Sequence, residues 1–388
     1  MMEILQDELI AEILKRVPNQ DLLRCTEVCK SWYYLLKSSF FIFRTHLPHI
    51  QASNPNPHLV ISCRYLKNGK YVMSFHDDNT EEFSECHMPR HFYSKSELGI
   101  FASCNGLLLF YEPDYLLWNP SIGRSLSLPK PELKRSSGDV LSCLGFDSTT
   151  NDFKLLRILC QIVCSNRRSV VVEAEIYSLK AASWKNITHI TPQYEIPYHL
   201  GFKPQCIPFV NGALHMIAGD FRTNDTGRSL VLVFDVKDEI FREIFLPQCL
   251  QNARLDALFV IAYGQSIAVV HIYESTIRND IWVMKEYGVY DSWTNLGKVQ
   301  NGEEKGIVAM FLRKNGQFMI DTGLGEIYSF DFAAQSFVDL FPDLEEMEET
   351  EEISSTSVFT YMETLALLDR GNFEDVTGES QNLGAATN

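Results

Sequence analysis

From about residue 59 onward the chain repeats itself at an interval close to fifty residues, a period that few folds accommodate. Asn105-Gly106, Asn211-Gly212, Tyr263-Gly264 and Asn315-Gly316 each precede an apolar strand, and their glycines lie 106, 52 and 52 residues apart, the first interval being two units. Each glycine supplies the positive φ that a hairpin turn needs. A second landmark follows each turn, in Leu117-Trp118-Asn119-Pro120, Ile176-Tyr177-Ser178-Leu179, Val233-Phe234-Asp235-Val236, Ile281-Trp282-Val283-Met284 and Ser329-Phe330-Asp331-Phe332. Its aromatic residue recurs at 59, 57, 48 and 48. Several units close alike, in Leu128-Pro129, Leu246-Pro247 and Phe341-Pro342. These phases predict one four-stranded antiparallel sheet per unit.

Sheets repeated at this period, each with an aromatic and a turn, predict a β-propeller, in which radial packing covers both faces of every blade. Counting Leu59 to Phe75 as a partial first blade gives about six. The late apolar segment Ser357 to Met362 is expected to pair with the first blade and remove an exposed edge. A pair of β-sandwiches is the alternative fold.

The first 45 residues read differently. Leu5, Leu9, Ile10, Ile13, Leu14 and Val17 recur about once per helical turn, with Asp7, Glu8, Glu12, Lys15 and Arg16 between them. Pro18 ends this amphipathic helix, and Asn19 or Asp21 is expected to cap the next. A second stripe runs through Leu22, Leu23, Cys25, Val28, Cys29, Trp32, Leu35 and Leu36. Helices this short bury too little surface to stand alone, so part of the stripe is expected to meet another protein. The alternative is an ordinary helical hairpin packed on the rest of the chain.

Asp7 to Pro18, then Leu22-Leu23-Arg24 and Val28-Cys29-Lys30-Ser31-Trp32, resemble an F-box, the motif that docks a Skp-type linker subunit and through it the cullin scaffold of a ubiquitin ligase. The resemblance implies that Leu5, Leu9, Ile13, Leu14, Pro18 and Leu22 face the linker, while Val28, Cys29 and Trp32 pack the F-box helices together. Gln6 departs from the proline usual after the first leucine, and Asn19 from the second proline common in plant members. Further on, Cys104-Asn105-Gly106-Leu107, Trp118-Asn119-Pro120-Ser121, Trp282 to Gly288 and Ser292-Trp293-Thr294 resemble the plant F-box-associated, kelch-like domain, which recruits the target for ubiquitination. The Met-Lys-Glu-Tyr-Gly-Val run is shared with pollen S-locus F-box proteins, whose targets are basic stylar ribonucleases, and with F-box proteins of other roles. The resemblance thus implies an α+β multidomain chain: a three-helix F-box over 1–45, a linker over 46–58 and a propeller-like domain over 59–369; the polar, small-residue-rich end over 370–388 is expected to be a disordered tail. The resemblance implies a non-catalytic adaptor with no cofactor. A propeller-fold hydrolase or sugar-processing enzyme with a helical cap, and an F-box scaffold that does not degrade its partner, are the rival readings.

A formal charge of −16 opposes binding to nucleic acid or anionic membrane and favours a basic partner, although acidity also serves solubility. With no apolar run long enough to span a bilayer, an acidic start and ten cysteines in the manner of free thiols, the chain is expected in the cytoplasm or nucleus. Cys86-His87-Met88-Pro89-Arg90-His91 lacks the ligand number of a structural zinc site, and Cys25 with Cys29 is read as packing. The glutamates between Leu344 and Ile353 read as a solvated loop or, failing that, a contact for a basic partner. Target contacts are expected in three irregular segments: Thr188 to Lys203 (Thr188, Tyr194, Tyr198), Gly219 to Arg228 (Asp220, Arg222, Arg228) and Tyr273 to Asp280 (Glu274, Arg278).

Overall fold

The computed structural model describes residues 2–53, 59–66, 71–77, 83–86, 100–111, 114–134, 140–163, 168–197, 207–220, 227–273, 278–300, 309–313, 315–321, 326–340, 353–370 and 372–373. Helices α1 (Met2–Leu14), α2 (Asn19–Cys25) and α3 (Lys30–Leu36) lead into a π-helical turn, Phe40–His46, and then α4 (Leu47–Ser53). The expected linker therefore begins as helix, because Leu47 is buried and must stay on a packed face. Pro18, not Asn19 or Asp21, occupies the α2 N-cap, with no side-chain cap. Its carbonyl accepts the amides of Asp21 and Leu22, while Asn19 is buried inside the first turn.

The β-region is the expected ring of blades. Blade two runs from strand Ile100–Cys104 through Leu107–Tyr111 and Tyr115–Asn119 to Arg124–Ser127. Blades five (Leu258–Tyr263 to Trp293–Gln300) and six (Ala309–Leu312 to Ser336–Asp339) are separate four-stranded sheets. Blades three (Val140–Asp147 to Ser183–Asn186) and four (Phe209–Val210 to Ile240–Phe245) merge through the short strand Glu195–Ile196, which pairs with Ser169 and Val170 on one side and Gly219 on the other. Blade one is closed by the last long strand, Ile353–Tyr361, lying antiparallel to Leu59–Leu66 with Leu59 opposite Tyr361. Each blade packs on the next, and blade six returns to the closing strand. Interior strands such as Leu107–Tyr111 are buried almost throughout because both faces meet a neighbouring blade.

The repeating landmarks have local causes. In Asn105-Gly106 and Asn211-Gly212 both turn residues have positive φ (44° and 83°, 49° and 77°), the conformation whose twist matches a two-residue hairpin. The aromatics Trp118, Tyr177, Phe234 and Phe330 are buried between blades. The acid or amide that follows three of them turns the chain into the fourth strand: Asn119 Oδ1 accepts the Ser121 amide, Asp235 Oδ1 those of Lys237 and Asp238, and Asp331 Oδ1 those of Ala333 and Ala334. Since strands alternate in direction, the turns joining strands one to two and three to four share one rim. The remaining hairpins and the connections between blades share the other.

The helices sit on the first of these rims, over blades two and three. Arg44 Nη2 donates to the Thr149 carbonyl (3.2 Å), Gln51 Nε2 to Asn105 Oδ1 (3.2 Å), and the Phe43 ring lies 5.5 Å from that of Phe146. Between helices and blades runs the chain after the closing strand, with Leu365, Ala366, Leu367 and Leu368 all buried in one cluster with Leu14, Leu22, Leu36 and Phe41. Each such leucine contributes roughly 1.5–3 kcal/mol by leaving water. Asn119, itself fully buried, fixes that segment: Nδ2 donates to the carbonyls of Thr364 (2.9 Å) and Ala366 (2.8 Å), and Oδ1 accepts from the Tyr361 hydroxyl (2.9 Å) and Ser121 Oγ (2.8 Å). Gly106 is required beside it, since a Cβ there would stand 2.1 Å from Thr364 Oγ1 and 2.8 Å from the Met362 carbonyl.

The Trp282 to Trp293 run joins blade five to blade four. The Tyr287 hydroxyl lies 2.7 Å from Nε2 of the fully buried His215, and Trp293 Nε1 donates to the Phe245 carbonyl at 3.0 Å. The expected tail contributes a short strand, Asn372–Phe373, on the outer edge of blade two; residues 374–388 lie outside the described ones, as does the glutamate run from Glu345 to Glu352.

Two stability predictions follow from these buried groups. Asn119→Ala strands two carbonyls and a hydroxyl in the interior, and is expected to lower stability by about 3–5 kcal/mol, read as a drop in denaturation midpoint. Burial drives His46, with help from the charge of His49, and His215, against the pull of the Pro208 and Ala213 carbonyls, down to about 4. An unfolded imidazole titrates near 6.5. Below that pH the unfolded chain binds protons the fold refuses, so the histidines' stability is complete above about 6.5 and is lost as pH falls toward 4. Urea midpoints should drop between pH 7 and pH 5, and less steeply in His215→Gln; equal slopes would count against the histidine account.

Candidate functional site

The apolar stripe of α1 divides into two faces. Ala11 and Leu14 are buried, and Ile10 and Val17 pack against the same cluster, whereas Leu9 and Ile13, one turn apart, are 66% and 67% exposed. Backbone geometry gives the reason: positions 9 and 13 share one side of the helix, and 10, 14 and 17 lie about 100° further round, toward the blades. Leu22 is fully buried on the same inward side and Pro18 is exposed. Leu14 and Leu22 are thus corrected from the expected linker-facing set to interior residues of the chain itself. Leu9, Ile13 and Pro18 remain at the surface. Leu5 lies in α1, but its side chain is outside the described residues.

The expected helix-packing set is also corrected. Val28 is 64% exposed, Cys29 is exposed, and only Trp32 is half-buried. The second stripe assumed one helix through residues 22–36, but α2 stops at Cys25 and Cys29 is extended (φ −160°) as the α3 N-cap. Val28 therefore stands in a turn, off the helical face. Tyr33, Tyr34 and Phe40 are exposed as well, with the two tyrosine rings edge to face at 5.5 Å. The sequence reading missed this aromatic pair. Its signal was the run Trp32-Tyr33-Tyr34, since successive helical residues diverge by about 100° and one core face cannot accept all three.

The described ends of the three expected target segments lie on the rim away from the helices, because each segment joins strands two and three of a blade or one blade to the next; residues 198–203, 221–226 and 274–277 lie outside the described ones. Their side chains divide. Thr188 opens a short 3-10 turn and its Oγ1 accepts the Ala174 amide, so its hydroxyl ties the turn to strand Arg168–Ser178. Tyr194 is corrected: it is 3% exposed, packs in the core between blades three and four, and donates its hydroxyl to Glu243. The segment holding it is committed to the sheet by strand Glu195–Ile196 and is only partly a loop. Asp220 and Arg228 face each other across a strand pair, with the Arg228 guanidinium 4.2 Å above the Phe245 ring and 3.4 Å from Glu243. Tyr198, Arg222 and Glu274 lie outside the described residues. Arg278 opens a strand opposite Tyr273, its side chain being outside them.

Buried charge in the blades is engaged in structure. Glu175, fully buried, meets the Arg157 guanidinium through Oε1 and accepts the Glu132 and Leu133 amides through Oε2, tying the link between blades two and three to blade three. Lys154 bridges the Val236 carbonyl and Glu239 across blades three and four (2.9 and 2.8 Å). Burial raises the Glu239 carboxyl, but hydrogen bonds and charge from Lys154 and Lys185 outweigh it and hold the group below its ordinary range. Tyr115, held up to about 12 by burial, shares a hydrogen bond with Ser142. Among the described residues no three His, Cys, Asp or Glu side chains converge as metal ligands, and no helix is long and apolar enough to cross a membrane. His87 and His91 lie outside those residues.

Comparison with known proteins agrees with the two-part architecture. Residues 2–44 match the F-box domain and residues 65–366 the F-box associated beta propeller domain. Among curated relatives, "F-box protein At3g07870" of Arabidopsis thaliana is 28% identical over 75% of this chain and 72% of its own length. "F-box protein CPR1" from the same plant is 27% identical over 76% and 72%. Among solved structures, the Dos1 propeller covers 69% of this chain and 65% of its own, at 13% identity and a TM-score of 0.36. A helical module with an exposed apolar face, seated on a ring of blades that the described residues close with the strand Ile353–Tyr361, thus carries both family signatures: the chain belongs to the F-box proteins with an F-box-associated β-propeller domain.

Proposed function

We propose that this chain is the substrate-receptor subunit of a Skp–cullin–F-box ubiquitin ligase. The observation that carries this reading is the exposed pair Leu9 and Ile13 on a helix whose neighbouring apolar residues Ile10, Ala11 and Leu14 pack inward. A helical module that leaves two branched aliphatic side chains two-thirds exposed one turn apart, and Val28 and Tyr34 exposed as well, has the character of a docking face. On this reading the chain performs no chemistry. It holds the target at high effective concentration near a ubiquitin-conjugating enzyme in the cytoplasm or nucleus. The Skp-type linker takes the helical face, and the target takes the rim on the far side of the ring.

The charge of −16 favours a basic target. A stylar ribonuclease is one such protein, and the S-locus reading rests on the sequence likeness of the Met284 to Val289 run, whose residues also fasten blade five to blade four. A non-degradative scaffold would use the same two surfaces and differ only in the fate of its partner.

Leu9→Asp with Ile13→Asp is expected to abolish co-purification with the Skp-type subunit while leaving the denaturation midpoint nearly unchanged, since surface substitutions away from packed features fall within about 0.5 kcal/mol. Leu22→Asp should instead unfold the chain by burying a carboxylate without a partner. Linker binding by the double variant would overturn the assignment. For a basic target the association rate should fall as ionic strength rises from about 0.01 to 0.15 M, with a smaller change in dissociation. A salt-independent rate would remove the electrostatic argument.

A further inference from the structure

Five asparagines in the chain are followed by glycine, a pair with a chemistry of its own. With no Cβ in the way, the glycine nitrogen can reach the asparagine side-chain carbon and displace ammonia, which makes such asparagines thermolabile. Asn68 and Asn301 lie outside the described residues, and the other three stand in turns joining strands one and two of their blades, on the helix-side rim. Their surroundings differ. Asn105 is half-buried and its Oδ1 accepts from Gln51 Nε2, while Gly106 is buried against Thr364 and the Met362 carbonyl. Asn315 is exposed, but Gln317 engages it twice, donating its amide to Oδ1 and accepting from Nδ2 (both 3.0 Å). The Gly316 amide, the attacking group, is committed to the Arg313 carbonyl at 3.1 Å. At the third turn Asn211 and Gly212 are both exposed, nothing lies within 4 Å of where a Gly212 Cβ would stand, and among the described residues the Gly212 amide makes no hydrogen bond. The strand leading into this turn, Phe209–Val210, is two residues long, so the turn opens at little cost to the geometry that attack requires. The helices, over blades two and three, leave it uncovered.

We propose that Asn211 is a site of spontaneous, enzyme-free modification, where conversion to aspartate or isoaspartate loosens blade four from its two neighbours. The Gly212 nitrogen gives its proton to water or hydroxide and bonds to Asn211 Cγ; the Cγ–Nδ2 bond breaks and Nδ2 leaves as ammonia. Water then opens the five-membered imide at either carbonyl. One opening gives aspartate, and the other gives isoaspartate, in which the main chain runs through the former side chain. Both products lose a contact. Nδ2 donates to the Gln265 carbonyl in the blade-five turn at 2.6 Å, and a carboxylate in its place sets acceptor against acceptor. Isoaspartate also inserts a methylene ahead of Gly212, whose carbonyl accepts the amide of the buried Val236 at 3.1 Å. The Val236 carbonyl in turn holds Lys154 of blade three. One exposed turn thus connects blade four to both sides, and its chemistry changes with the age of the molecule.

The full chain is aged at physiological temperature and mildly alkaline pH, and aspartate and isoaspartate are quantified peptide by peptide by mass spectrometry. In the folded chain Asn211 is expected to react roughly tenfold or more faster than Asn105 and Asn315, as about 1.4 kcal/mol less in reaching the reactive geometry provides. In concentrated urea the three should react at similar rates, since only the fold distinguishes them. No conversion at Asn211, or a rate there no greater than at the other two turns in the folded chain, overturns the proposal. Amide exchange at Val236 should quicken several-fold in the aged chain and stay slow in an equally aged Asn211→Gln variant, whose longer side chain closes an imide ring far more slowly. Equal exchange in the two would overturn the loosening.

Discussion

The side-chain amide of Asn119, fully buried, has four hydrogen-bonding partners, and much of the molecule is arranged around them. Its Nδ2 holds the backbone at Thr364 and Ala366; its Oδ1 takes the Tyr361 hydroxyl at the end of the closing strand and the Ser121 side chain in its own turn. A buried amide has no neutral alternative: it is either paired or costs free energy comparable to several packed methyl groups. By satisfying it, the chain fixes where the ring ends and where the next residues must run. Those residues, Leu365 to Leu368, are the surface on which the N-terminal helices rest.

The two modules therefore share one core instead of hanging from a flexible tether. Phe43 against Phe146, Arg44 on Thr149 and Arg370 on Leu179 all lie on the same rim. A partner bound to Leu9 and Ile13 is held at a set orientation to the ring, and a partner on the opposite rim is held a propeller's thickness away. On the receptor reading proposed above, this rigidity narrows the volume a target can sample. The embedded charges serve the same end: Arg157 with Glu175 fastens the link from blade two onto blade three, and Lys154 with Glu239 ties blade three to blade four.

What could be read from the sequence was what local chemistry determines. Asn-Gly turns, a buried aromatic and a capping Asn or Asp recur because each blade makes the same bends, and the closing strand followed from the need to cover an edge. The division of the α1 stripe was not legible, since Leu9 and Leu14 look alike until the direction of the core is known. Val28 was misplaced because nothing in residues 22–36 announces the break after Cys25. Leu365 to Leu368 carry no periodicity, and their partners lie more than three hundred residues earlier. Tyr194 was assigned to a loop because a two-residue strand bridging two blades leaves almost no pattern.

The pairing of Leu59 with Tyr361 also sets an order of events during synthesis. Roughly 300 residues must leave the ribosome between those partners, which at about 5–20 residues per second is tens of seconds. Throughout that interval the Leu59–Leu66 edge is open and the inward faces of α1 and α2 lack the segment that covers them. Contacts this distant in sequence also form slowly once both partners exist. The nascent chain thus displays an unpaired strand and uncovered leucines for most of its translation, features that holding chaperones bind, and a chain interrupted before residue 361 never loses them.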